Sequence, residues 1–515
     1  MMNRNRRAFL ADVGKGMLIA SVGPTVAAEL GLAPALACEG PQRLSFGKME
    51  PLVATMQETP IDKLLPILVA RLNDGVSVGS LVAAAALANA RTFGGLDYDG
   101  YHAFMALAPC FQMSQELPEN RRALPVLKVL YRNTHCIQKL GGGTREVLHP
   151  VSAAELPKDR PGGELLRDAT RRRDTDGAER TFAALAERSV GDAYDHLQYA
   201  IQDAADVHRV VLAWRSWAAI DLVGKEQAHT LLRQSVRYCV DTEHWHGKDS
   251  QTPELRAALP KLLERYKLLG RTPGKRKAED GWIDRLAGTI YDGDNLRAAD
   301  TVAEALAEGM SPEDVGEAIA LAANRQVLCD PGRSKEDVEP GKPEGSVHGS
   351  SVGVHSSDAV NAWRNIARVS NARNTFASLI VGAYHTAGPN AGLLAQPWPR
   401  PEDLEKVDAK DASKLLRNAE AAIKEKDQAR AAALVQRYGE LGHPARPVFD
   451  LLLRHAVSED GALHGEKYYR TVTEEFAAGR PAFRWRQLVA LARVTASGYG
   501  FPAPGYAEAC KLLKI

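Results

Sequence analysis

From residue 60 onward this chain runs as helix-length segments with an apolar period of 3.6 residues, each closed by Gly, Pro or Asp. No stretch alternates apolar and polar residues as a strand does. The periodic segments are 60–73, 77–93, 98–116, 119–138, 178–190, 192–222, 225–241, 253–268, 296–308, 311–328, 347–368, 370–387, 410–424, 427–439, 445–457, 464–477 and 482–498. The long segment 192–222 reads as two helices meeting near Asp206. Residues 139–176 and 269–280 read as charged or Gly-rich connections. The stretch 330–346 carries Gly332, Pro340, Gly341, Pro343 and Gly345 and reads as an exposed loop. The expectation is an all-α protein. Composition agrees: 45% of residues are apolar, enough for a sizeable core, and only 6% are aromatic, few for a β-sandwich or barrel. With 65 Lys+Arg against 64 Asp+Glu, the basic excess that nucleic-acid binding calls for is missing.

A chain of 515 residues has room for about three domains or two larger ones. An internal repeat favours two. Gly75–Arg91 aligns with Gly309–Arg325 without a gap, and seven of the seventeen positions are identical. Each copy continues to a histidine, His102 in the first and His348 in the second. Further on, Asp195–His208 resembles Asp450–His464 with one residue of gap. These matches predict two duplicated multi-helix halves, related by a pseudo-twofold axis and packed into one compact helical body. The halves span 60–270 and 296–515, joined by a linker over 271–295 and preceded by one over 38–59.

The duplication pairs His102 with His348 and His208 with His464. A twofold axis would bring the four together, and helices project such side chains into a bundle core. Neutral imidazoles bind Fe, Zn, Cu or Ni, so His102, His208, His348 and His464 are read as metal ligands. His229 follows on the next helix. His355 falls two turns after His348, on the same helical face. Both are read as cofactor-binding extensions of the site. The cofactor would be a transition metal or a haem, acting on a small-molecule substrate. Asp206 and Glu466 lie near the second pair as weak partners for their ring nitrogens. Glu243-His244-Trp245-His246 is a compact cluster, read as a solvated loop beyond a helix end. No nucleotide-binding fingerprint and no nucleophile elbow is present. If the paired histidines serve only packing, the alternative is a helical-repeat binding or scaffold protein.

The N-terminus reads as an address. Arg4-Asn5-Arg6-Arg7-Ala8-Phe9-Leu10 precedes a Gly/Ala-rich apolar stretch and Ala35-Leu36-Ala37, the pattern of a twin-arginine (Tat) signal with its cleavage site. Residues 1–37 would be removed after passage through the Tat machinery. The mature chain would then be periplasmic, or held on the outer side of the membrane by a lipid anchor at Cys38. No later segment is apolar and long enough to span a membrane. The remaining cysteines show no Cys-x-x-Cys pair, so neither a disulfide framework nor a thiolate site is expected.

These residues together resemble a family of Tat-exported, all-helical bacterial proteins of unknown function. The likeness rests on Arg6–Leu10, Tyr101-His102-Ala103, Val207-His208-Arg209 with Ala213-Trp214-Arg215, Leu463–Tyr468 and Phe483–Arg486. More remotely the chain is similar to questin oxidase-like proteins, helical oxygenases of polycyclic aromatic substrates with scattered helix-borne histidines. The first likeness brings no activity. The second implies an oxidoreductase, and no catalytic residue is carried over from it.

Overall fold

A computed structural model describes residues 42–388 and 392–515. The expected leader over 1–37, its expected cleavage site and Cys38 lie outside the described residues. Within them are 23 α-helices and no strand. The first half of the chain carries α1 (Glu50–Glu58), α2 (Ile61–Asn73), α3 (Val78–Phe93), α4 (Tyr98–Gln115), α5 (Ala123–Lys139), α6 (Gly162–Arg171), α7 (Thr175–Ala186), α8 (Val190–Ile201), α9 (Val207–Val223), α10 (Ala228–His246) and α11 (Gln251–Arg265). Then come α12 (Asp280–Asp292), α13 (Asn295–Ala307), α14 (Pro312–Cys329), α15 (Val352–Val369), α16 (Ala372–Thr386), α17 (Pro401–Glu405), α18 (Ala412–Lys424), α19 (Gln428–Glu440), α20 (Arg446–Ser458), α21 (His464–Ala478), α22 (Trp485–Gly498) and α23 (Tyr506–Leu513). Among the described residues, no helix is long and apolar enough to cross a membrane.

Short polar caps set many of the starts. Ser77 accepts from the Ser80 amide at α3, Asp97 from Gly100 at α4, and Ser351 from Val354 at α15. Asp206 caps α9 through the amides of His208 and Arg209, which is why 192–222 breaks there. The helices divide by burial. Every residue of α3 from Leu81 to Phe93 is buried, and α15 buries Trp363 with most of its length. Helices covered all round belong to a core. By contrast, α18 buries only Leu415, Ala419, Ala422 and Ile423, a single stripe facing inward.

The structure differs from the sequence reading in several places. The 38–59 linker contains α1, whose Val53 and Met56 are fully buried against the core. The 271–295 linker contains α12, which packs on α14 through Ile283, Leu286 and Ile290. The 139–176 connection contains α6. α1 and α6 span only 9 and 10 residues. The Glu243–His246 cluster is the last turn of α10 rather than a loop. His348 precedes α15, so it does not share a helical face with His355. The described cysteines are all free, and all but Cys510 are buried.

Four core helices bring histidines together. α4 packs on α9 and α21, and α15 packs on the same two helices. Their first turns meet.

Candidate functional site

Each of the four central helices places a histidine in or near its first turn. His102 is the fifth residue of α4, His208 the second of α9, His355 the fourth of α15 and His464 the first of α21. Because Cα–Cβ bonds tilt toward a helix N-terminus, such side chains reach past the end of their own helix. Here they reach one another. Ring centroids stand 4.8 Å apart for His102 and His208, 5.4 Å for His208 and His355, 5.3 Å for His355 and His464, and 5.2 Å for His464 and His102. The four imidazoles form a closed ring.

Glycine makes the approach feasible on two sides. A Cβ at Gly100 would lie 2.5 Å from the Phe93 ring, and one at Gly353 would lie 2.5 Å from the backbone of Val327. Each glycine sits two residues before a ring histidine. Strained backbone marks two of the helix starts: Asp97 (φ 69°) caps α4, while Ala462 (φ 47°) and Leu463 (φ 63°) precede α21. Non-glycine residues hold such angles only where their surroundings enforce them.

Hydrogen bonds assign part of the proton inventory. Nδ1 of His102 lies 2.8 Å from the Tyr98 carbonyl, and Nδ1 of His464 lies 3.2 Å from the Ala462 carbonyl. A carbonyl only accepts, so both histidines carry the proton on Nδ1 and keep a lone pair on Nε2. Nε2 of His355 then donates to Nε2 of His464 across 3.2 Å. Nε2 of His102 and Nε2 of His208 are buried without a partner. An unpartnered buried polar atom costs about 1–3 kcal/mol. Two of the ring's nitrogens are therefore left without a protein partner.

Burial keeps the imidazoles neutral. It pushes His208 down to about 4 and His355 down to about 3, and it drives His102 and His464 well below the usual range. The Lys467 ammonium, one turn after His464, pushes all four the same way. Lys467 is itself buried and lowered to about 8, chiefly by desolvation, with Asp358 and Glu466 opposing. Asp358 stands one turn after His355 and accepts from Thr471 at 2.7 Å. On the far side, Asp206 accepts from Tyr238 at 3.0 Å, lies 3.0 Å from Nε2 of His246, and lies 3.8 Å from Nδ1 of His208. Burial favours its neutral form, but the His246 hydrogen bond and the His208 imidazole outweigh that and hold it ionised. Tyr98 and Tyr101 wall the ring, 4.1 and 5.0 Å from His102.

Of the six histidines singled out by sequence, the structure brings together His102, His208, His355 and His464. His348 does not join them. Its Nδ1 meets Ser497 Oγ and its Nε2 meets the Gly341 carbonyl, both at 2.8 Å, so it pins the 330–346 loop to α22. A cavity of ≈ 50 Å³ separates it from His464. His229 stacks on Phe182 at 5.7 Å. It sits nine residues before Tyr238 on α10, about 13 Å of helix away from the Asp206 cluster. Glu466 turns away from the ring and pairs with Lys128 at 2.6 Å. Lys467 and Asp358 carry a spacing signal that pairing of histidines alone does not reveal: each lies three residues after a ring histidine.

The donor set suits a first-row transition ion. At a metal–nitrogen distance of about 2.1 Å, two nitrogens on one tetrahedral ion stand about 3.4 Å apart and their ring centroids about 5 Å apart. The His355–His464 nitrogen separation of 3.2 Å and the four neighbouring centroid separations of 4.8–5.4 Å are of that size. As the side chains stand, however, no group of three or more His, Cys, Asp or Glu among the described residues is arranged to hold an ion. A search of known protein families, curated proteins and solved structures finds no match for this chain.

Proposed function

We propose that this chain is an exported, metal-dependent oxidoreductase whose ion is held by His102, His208, His355 and His464. The observation that carries the reading is the pair of buried, unpartnered Nε2 atoms, on His102 and His208, within a closed ring of four imidazoles. An ion would satisfy the lone pairs and replace the His355–His464 bond, with the His355 proton moving to Nδ1. Four helix N-termini oppose a cation there, at about 0.3–1 kcal/mol each. Coordination to structural zinc sites is worth about 10–16 kcal/mol, so ligation decides the balance. A haem fits less well, because imidazoles this close leave no space for a macrocycle between them. A bound ion would supply Lewis-acid or one-electron chemistry. The chain's own residues would orient it through the Tyr98 and Ala462 carbonyls, exclude water with Tyr98 and Tyr101, and hold a proton at Lys467 Nζ beside it. The oxidoreductase class rests on the remote likeness to questin oxidase-like proteins, and export rests on the Arg6-Arg7 leader.

The same reading includes duplication with a corrected pairing. Support comes from Gly100-Tyr101-His102 and Gly353-Val354-His355, each following a repeat-bearing helix, α3 or α14. It comes also from the reciprocal packing of α4 on α21 and of α9 on α15. His102 thus pairs with His355.

Elemental analysis of the full chain, with electron paramagnetic resonance, tests the proposal. About one ion of Fe, Cu or Mn per chain is expected, retained in His348→Ala and lost in His355→Ala and His464→Ala. A chain that keeps no ion after dialysis against these metals would overturn the metal reading. A chain that takes only zinc would overturn the oxidoreductase class.

A further inference from the structure

Beyond the ring, three of its helices continue into a second feature. Six residues after His102, His208 and His464 come Ala108, Trp214 and Arg470, and all three line one cavity of ≈ 670 Å³. Six helical residues rise about 9 Å, so the cavity lies within two turns of the ring. Its volume falls in the range of small-molecule pockets, about 300–1,000 Å³. Lys467 and Asp358, each three residues after a ring histidine, occupy the level between.

The cavity wall is built around a cation that makes no ion pair among the described residues. Arg215 lines it and is only 4% exposed. Its Nε has no hydrogen-bond partner, and burial lowers its pKa while Glu474 and Asp358 act on it only at longer range. Glu474, also on the wall, is already engaged: it accepts from Arg470 at 2.7 Å and from Asn365 at 3.0 Å. Asp221 and Lys225 oppose one another at the exposed rim. Trp214 and Trp217 supply two half-buried indoles. Nε1 of Trp214 is a second buried donor without a partner. Tyr194 stacks behind Trp217 at 4.4 Å and fixes its plane.

A buried guanidinium fork beside two indole faces matches one ligand chemistry: a carboxylate on a flat apolar body. We propose that this cavity binds such a flat carboxylate, with Arg215 taking the carboxylate and Trp214 and Trp217 holding the body. That the bound molecule is the substrate of the histidine ring rests on the reading given under Proposed function. The binding itself does not.

Tryptophan fluorescence and calorimetric titration of the full chain with 2-naphthoate, and with neutral 2-naphthamide, provide the test. The carboxylate should bind at least tenfold more tightly than the amide. Arg215→Gln should abolish that preference, and its ion content should equal that of the wild type. Trp217→Leu should weaken both probes by a similar factor and keep the preference, which separates loss of the site from loss of the fold. Equal binding of the two probes, unchanged preference in Arg215→Gln, or no binding of naphthoate would each overturn the proposal. His355→Ala should still bind naphthoate. If the chain holds no metal yet shows the Arg215-dependent preference, the ring proposal fails and this one stands.

Discussion

A buried imidazole is a stability term as well as a ligand. Outside the ring, burial pushes His229, His348 and His455 each to about 4, against an ordinary value near 6.5. Arg233 adds to the effect at His229. At His348 the Gly341 hydrogen bond opposes it, and at His455 Glu420 does. The folded state keeps these groups neutral, so between about pH 6.5 and 4 the unfolded chain binds more protons than the folded one. Stability therefore rises with pH across that window and is lost on acidification. A shift of this size corresponds to about 3 kcal/mol per group, as an upper figure. Thermal melts of the wild type should show Tm falling from pH 7 to pH 4.5. His229→Phe, which keeps the stack on Phe182, should fall less steeply. An identical slope in that variant would mean the acid response arises elsewhere.

At the level of helices, the site depends on how closely α15 can approach α14. A Cβ at Gly353 would stand 2.5 Å from both N and Cα of Val327. Backbone cannot rotate aside as a side chain can, so α15 must move. Gly353→Ala should cost about 1–3 kcal/mol, as overpacking in a core does. It should also displace His355, two residues on, from the ring. Urea denaturation reads the first effect and metal content the second; a variant as stable as wild type with a full ion complement would contradict both. The same glycine explains why sequence points to His348. The repeat is anchored on Gly75–Arg91, and counting onward across a loop of unequal length reaches the first histidine available. The feature that packing requires is local: a small residue two before the imidazole, where a helix end meets its neighbour. Gly100-Tyr101-His102 and Gly353-Val354-His355 carry it. Periodicity reveals most helices, and Asp206 reveals the break in 192–222, because caps and stripes are local. The helices α1 and α6 escape it because nine or ten residues hold too few turns for a period to show. The cavity at Arg215 is assembled by α4, α8, α9 and α21, and no single segment announces it.

The ring also bears on how the molecule unfolds. His102 and His208 come from the first half of the chain, and His355 and His464 from the second. The helices that carry them pack across the halves, α4 on α21 and α9 on α15. Separable domains meet through modest, rather polar interfaces. Here the four packed helices bury Ala103, Ala106, Val210 and Val354 to no more than 1% exposure, along with four neutral imidazoles and Lys467. Neither half could come away alone without exposing buried apolar area of the other to water. Residues Ser45–Ile515 should therefore unfold as one cooperative unit, although domains of this combined size commonly unfold in steps. Differential scanning calorimetry should give a single transition whose calorimetric and van't Hoff enthalpies agree. A saturating ion binds only the assembled ring, so it should shift that whole transition upward. At a free concentration of about 100 Kd the gain is about 2.7 kcal/mol. His355→Ala should remove the shift. Two resolved transitions, with only the second half responding to His355→Ala, would mean that the halves fold independently and that the ring is merely their point of contact.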